Sequence, residues 1–147
     1  MEPRMDYRSV YPEAFQTMLK LEQFMAGTGI DKHLYELIKI RASQINGCAF
    51  CLDMHTRDAR KLGESEQRLY LLSVWYEVPF YTEKERAVLA LTEAVTRISD
   101  AGVPQEIYDN VRKHVSDKEY VTLLMAINTI NCWNRIAIST QMVPIEG

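Results

Sequence analysis

No apolar run in the 147 residues is long enough to span a bilayer, so no membrane-crossing helix is expected. Charge of one sign is also missing. The net charge is −3, with 17 basic and 20 acidic residues mixed along the chain. There is no basic stripe of the kind that tracks phosphates, which argues against a nucleic-acid partner. Cysteine is scarce and odd in number, with three copies at Cys48, Cys51 and Cys132. That count, with no export signal, excludes a structural disulfide framework. The opening residues Met1 to Asp6 are charged and lead into no signal-like apolar core, so the cytoplasm is the expected location. The six glycines and five prolines form no linker, and there is no repeat or low-complexity stretch. One domain over residues 1–147 is therefore expected. Strand signals are poor, and the one candidate, Trp75 to Phe80, is broken by Pro79.

What is present is helical spacing between short turn signals. Phe15, Met18, Leu19, Glu22 and Met25 trace a first helix from about Pro12, closed by Gly27 and Gly29. Asp31 offers an N-cap to a second helix through Leu34, Leu37, Ile38, Ala42 and Ile45. Asn46-Gly47 suits a left-handed stop. A third helix begins at or beside Cys48 and runs to Leu62, and a fourth runs from Ser65 to Glu77. Thr82 with Glu85, and Ser116 with Glu119, are capping-box patterns. The first opens a helix through Ile98. The second opens a long one through Val121, Leu124, Met125, Asn128 and Ile136. A sixth lies between them, with Ile107, Val111 and Val115 in register. The expected fold is all-α, with about seven helices.

The chemistry-bearing stretch reads Gly47-Cys48-Ala49-Phe50-Cys51-Leu52-Asp53-Met54-His55. Three helical residues advance about 4.5 Å and turn about 300°. Cys48, Cys51 and His55 therefore share one helix face. A thiol needs a base or a positive field to become the nucleophilic thiolate. An imidazole at that spacing is a base, and the helix start supplies a field. A second thiol can close a disulfide on an oxidised first one. Buried filler cysteines, or a metal site completed by His33, Glu36 or Cys132, remain as alternatives. A thioredoxin-type motif would need a preceding strand. From sequence, Cys132 reads as core, and His33 and His114 as surface residues.

Glu36, eleven intervening residues, Cys48-x-x-Cys51, three residues and His55 together resemble the core of the alkylhydroperoxidase D-like (AhpD-like) proteins of the carboxymuconolactone decarboxylase superfamily. The resemblance is close over about residues 32–99 and looser over 118–138, where Asn131-Cys132-Trp133-Asn134-Arg135 resembles a late family segment. It implies an all-helical fold, homo-oligomers such as trimers or hexamers, and reduction of hydroperoxides with a dithiol as electron donor. It implies no cofactor and no metal. By the same resemblance Cys51 would attack the peroxide, Cys48 would resolve it, His55 would take the Cys51 proton, and Glu36 would orient His55. The family histidine just before the second cysteine is Phe50 here. A general dithiol–disulfide oxidoreductase and a decarboxylase of the namesake type are the competing expectations.

Overall fold

The Asp31 carboxylate accepts the Leu34 backbone N–H at 2.8 Å and opens the helix around which the others pack. The computed structural model describes residues 1–147 as nine α-helices and one 3-10 segment, without strands. The helices are α1 (Tyr7–Val10), α2 (Pro12–Ala26), α3 (Lys32–Asn46), α4 (Ala49–Lys61), α5 (Glu66–Leu71), α6 (Glu83–Thr96), α7 (Ile98–Ala101), α8 (Gln105–Arg112) and α9 (Asp117–Ser139). Two of them, α1 and α7, are single turns of four residues, which leaves the seven longer helices that the spacing predicts. None is long and apolar enough to cross a membrane.

Every residue of α3 from Leu34 to Ser43 is buried, because α4, α6 and α9 pack around it. One side contributes Ile38 and Ala42 to a core shared with Val88, Leu91, Ile127 and Ile130. The other contributes Leu37 and Ile40 to a second core with Leu69, Leu72, Trp75 and Leu89. Cys48 and Cys51 belong to the first core. Both predicted capping boxes form, at Thr82 with Glu85 and at Ser116 with Glu119.

Four local expectations need correction. The Ser65–Glu77 helix is α-helical only to Leu71 and continues as a 3-10 turn over Leu72–Glu77, kinked at Val74. Arg86 accounts for the change, since its guanidinium donates to the carbonyls of Trp75, Tyr76 and Val78. Second, α6 stops at Thr96, where Arg97 leaves helical geometry, and Ile98 begins the separate turn α7. Third, the buried phase of α9 runs through Leu123, Ala126, Ile127, Ile130, Asn134 and Ala137, while Val121 and Asn128 face outward. Apolar residues sit on both faces of this helix, so period alone leaves its phase undetermined. Fourth, Cys132 is partly exposed rather than core. Around the Val74 kink Trp75 and Tyr81 are buried, and Tyr76 and Phe80 lie at the surface.

The turn between α3 and α4 sets the thiols. Gly47 adopts φ +72°, and the Cys48 N–H then donates to the Ser43 carbonyl at 3.0 Å. A Cβ at position 47 would meet no atom within 4 Å, so substitution there is opposed by backbone strain alone. We expect Gly47→Ala to cost about 1–2 kcal/mol, seen as a lower urea midpoint with an unchanged m-value. An unshifted midpoint would contradict this account of the turn.

Candidate active site

Cys48 occupies the N-cap position of α4, and its Sγ accepts the backbone N–H of Cys51 at 3.4 Å. Both thiols are free and buried, Cys48 at 1% exposure and Cys51 at 4%. Their environments push them apart. The Cys51 thiol donates to Cys48, and with the Cys51 backbone N–H it lowers Cys48 to about 7 against the desolvation of burial. Cys51, as the donor of that bond and buried beside a thiolate, is pushed up. The two thiols titrate as a pair: the first proton leaves more readily, and the second less readily, than from a lone thiol.

Glu36 and His55 come from α3 and α4, which pack against each other. Burial raises the Glu36 carboxyl, but His55 and Lys39 outweigh it and hold it below its ordinary value. Glu36 Oε1 accepts from Lys39 Nζ at 2.8 Å. Its Oε2 lies 3.2 Å from His55 Nδ1, off the line a good hydrogen bond needs, and neither atom has another partner. The Lys39 ammonium also sits 3.9 Å from the Tyr35 ring centre. Cys51 and His55 line the same cavity of about 320 Å³, and Cys48 does not reach it. Acidity and access are thus divided between the two sulfurs.

A profile of the carboxymuconolactone decarboxylase family matches residues 12–94. The chain belongs to this family, on its AhpD-like side. The uncharacterized protein YdfG of Bacillus subtilis is 48% identical over 139 residues, 95% of each chain. A crystal structure of a protein of unknown function from Agrobacterium tumefaciens, described as a candidate antioxidant defence protein AhpD, superposes with a TM-score of 0.97. It is 44% identical, over 99% of this chain and 100% of that one. The alkyl hydroperoxide reductase AhpD of Nocardia farcinica is 38% identical over 48 residues, 33% of this chain and 27% of that one.

In this family member the sulfurs rest on a polar cluster that sequence reasoning missed. Asn134 of α9 is fully buried. Its Nδ2 donates to Ser43 Oγ at 3.0 Å, and its Oδ1 accepts from Asn46 Nδ2 at 3.0 Å. Asn46 also donates to Asn131 Oδ1 at 2.9 Å. The Asn134 amide favours the charged forms of both thiols. The available signal was two asparagines three apart inside an apolar helix, where polar groups persist only if bonded.

The cysteines do not join a ligand cluster. Glu36, His55 and Asp58 are the three ligating side chains that converge, within 4.8 Å of one another. Lys39 pairs with Glu36 and Lys61 lies 3.5 Å from Asp58, so two ammonium groups already oppose this carboxylate pair. His33 is held by the Leu62 carbonyl and Glu64, and His114 is exposed.

The lowered thiol has a pH signature. Ultraviolet thiolate absorbance should rise with a midpoint near 7. Asn134→Ala should move that midpoint upward by up to about one pH unit, the worth of roughly one hydrogen bond. Because the folded value is depressed, the thiolate stabilises the fold above the ordinary thiol pKa, and the contribution is lost as pH falls through about 7. A wild-type midpoint at the ordinary thiol value of about 8.5 would contradict this.

Proposed function

We propose that this chain is a thiol-dependent peroxidase that reduces hydroperoxides through a Cys48/Cys51 dithiol–disulfide cycle. The observation that carries the reading is Cys51 in the wall of an apolar cavity beside His55, whose Nδ1 faces the buried Glu36 carboxylate. The alkyl hydroperoxide reductase AhpD among its relatives supports the substrate class.

The cycle follows from the division of acidity and access. Cys51 is the sulfur a peroxide meets. Its proton passes to His55, which Glu36 orients through Nδ1. The sulfur attacks the distal peroxide oxygen, the O–O bond breaks, and the alkoxide leaves as the alcohol after taking the proton. Cys51 is now a sulfenic acid. Cys48, the more acidic thiol, attacks that sulfur; the S–S bond forms as the S–O bond breaks, and the departing hydroxide leaves as water with the proton given up by the Cys48 thiol. A dithiol reductant, protein or small molecule, then reduces the disulfide and is itself oxidised. The net change is hydroperoxide plus dithiol to alcohol, water and disulfide. A disulfide re-reduced in every turnover fits a reducing compartment, and we assign the protein to the cytoplasm. By its likeness to the family we also assign the chain to a homo-oligomer of the trimer or hexamer type.

Peroxide treatment should yield a Cys48–Cys51 bridge by peptide mass mapping. Cys48→Ser should accumulate sulfenic acid on Cys51. His55→Gln should lower peroxide turnover by about 10²–10⁴-fold, the usual worth of a general base. Sulfenic acid only on Cys48, in a Cys51→Ser variant, would reverse the two roles. Dithiol–disulfide exchange without peroxide consumption would replace the peroxidase reading by a general oxidoreductase.

A further inference from the structure

The cavity above Cys51 has a chemistry of its own. Phe15, Leu19, Phe50, Met54 and Trp133 are the large apolar side chains that line it. Four charged or titratable side chains also reach it: Arg8, Glu22, Lys39 and His55. Three of them are engaged. Glu22 accepts from Trp133 Nε1 at 2.9 Å and from the Tyr35 hydroxyl at 3.2 Å. Lys39 is paired with Glu36, and His55 faces the same carboxylate. Arg8 is different. Its guanidinium stacks 4.8 Å from the Phe15 ring centre and has neither an ion pair nor a side-chain hydrogen bond. The carboxylate of nearby Asp6 feels the Arg8 charge but spends its hydrogen bonds on the Ser9 hydroxyl and the Arg8 backbone N–H.

The position of Arg8 is fixed by tertiary contacts. The N-terminal segment is tied to the end of α9, where the Arg4 N–H donates to the Thr140 carbonyl at 2.9 Å and its guanidinium to the Ser139 carbonyl at 3.2 Å. Tyr7 meets Phe15 edge-on at 6.0 Å, and Phe15 meets Trp133 at 6.2 Å. This chain of rings packs the N-terminal segment beside the cavity, with Arg8 exposed in its lining and Cys51 buried in its wall.

We infer that the preferred substrate is an apolar hydroperoxide bearing a carboxylate at its far end, with the peroxide directed to Cys51, the chain against the aromatic wall and the carboxylate on Arg8. An unpaired guanidinium offers a planar fork that matches a carboxylate. The large apolar side chains of the wall, with Glu22, Lys39 and His55 already engaged, favour an uncharged chain over one bearing a second charge. Hydrogen peroxide makes use of neither feature. This inference rests on the peroxidase reading for its chemistry, but its recognition step can be measured alone.

The test compares ω-hydroperoxydecanoate with its methyl ester at low salt, and in parallel the two corresponding alcohols as unreactive ligands of the reduced enzyme. Binding is read by isothermal titration calorimetry. Acid should exceed ester about fivefold or more in kcat/KM and in affinity, with the difference shrinking as salt is added. Arg8→Gln should bring the acid-to-ester ratio to about one, and Arg8→Glu below one, in protein whose circular dichroism is unchanged. Equal handling of acid and ester by the wild-type enzyme, or a ratio that survives Arg8→Gln, overturns the inference. A charge preference in binding with no thiol oxidation by any hydroperoxide would uphold this pocket assignment and overturn the peroxidase reading instead.

Discussion

The backbone at Gly47 turns left-handed, and the geometry of both thiols follows from that turn. It ends α3 within one residue and lets α4 begin at once, with Cys48 as the cap. Two consecutive helices joined so tightly must pack against each other. That packing sets Glu36 of α3 opposite His55 of α4. A longer loop would leave the two cysteines on a helix of their own and remove the carboxylate from reach. The sulfurs, the ring and the acid are thus one consequence of a single backbone conformation, supported by the core that buries α3 throughout.

The second constraint is charge in the interior. Glu36 and Lys39 are both nearly buried, at 8% exposure each, and α3 carries them one turn apart. Breaking a buried pair of this kind costs about 3–5 kcal/mol, because the survivor is left without a counter-charge. The Tyr35 ring under the ammonium and the His55 ring beside the carboxylate spread that cost. The same local field keeps Glu36 ionised. In the proposed cycle that charge beside Nδ1 is what orients the His55 ring.

Much of this was legible in the sequence, and the exceptions have physical reasons. Helix starts were readable because Asp31, Thr82 and Ser116 cap through short-range hydrogen bonds that need no tertiary context. The shared face of Cys51 and His55 follows from helical period. Glu36 was legible only through its family spacing, since a lone glutamate on a helix carries no sign that it is buried. Helix α1 escaped because it is a single turn, held by the Asp6 cap and by Arg4 on the far end of α9. The phase of α9 escaped because its decisive residues, Asn131 and Asn134, are polar groups turned inward toward Asn46 and Ser43. The split in acidity between the sulfurs depends on which thiol donates to the other, a matter of side-chain rotamers that spacing does not encode.

Position 48 also shows a trade between anchoring and reactivity. Serine, threonine, aspartate and asparagine are the side chains that best start a helix, through an oxygen close to the first free amides. Here the helix begins instead on a sulfur, a larger and weaker acceptor, at 3.4 Å. The chain forgoes its firmest foothold at the residue to which the proposed cycle gives the resolving thiol. In that cycle the sulfur that caps the first turn of α4 is also the one that closes the disulfide.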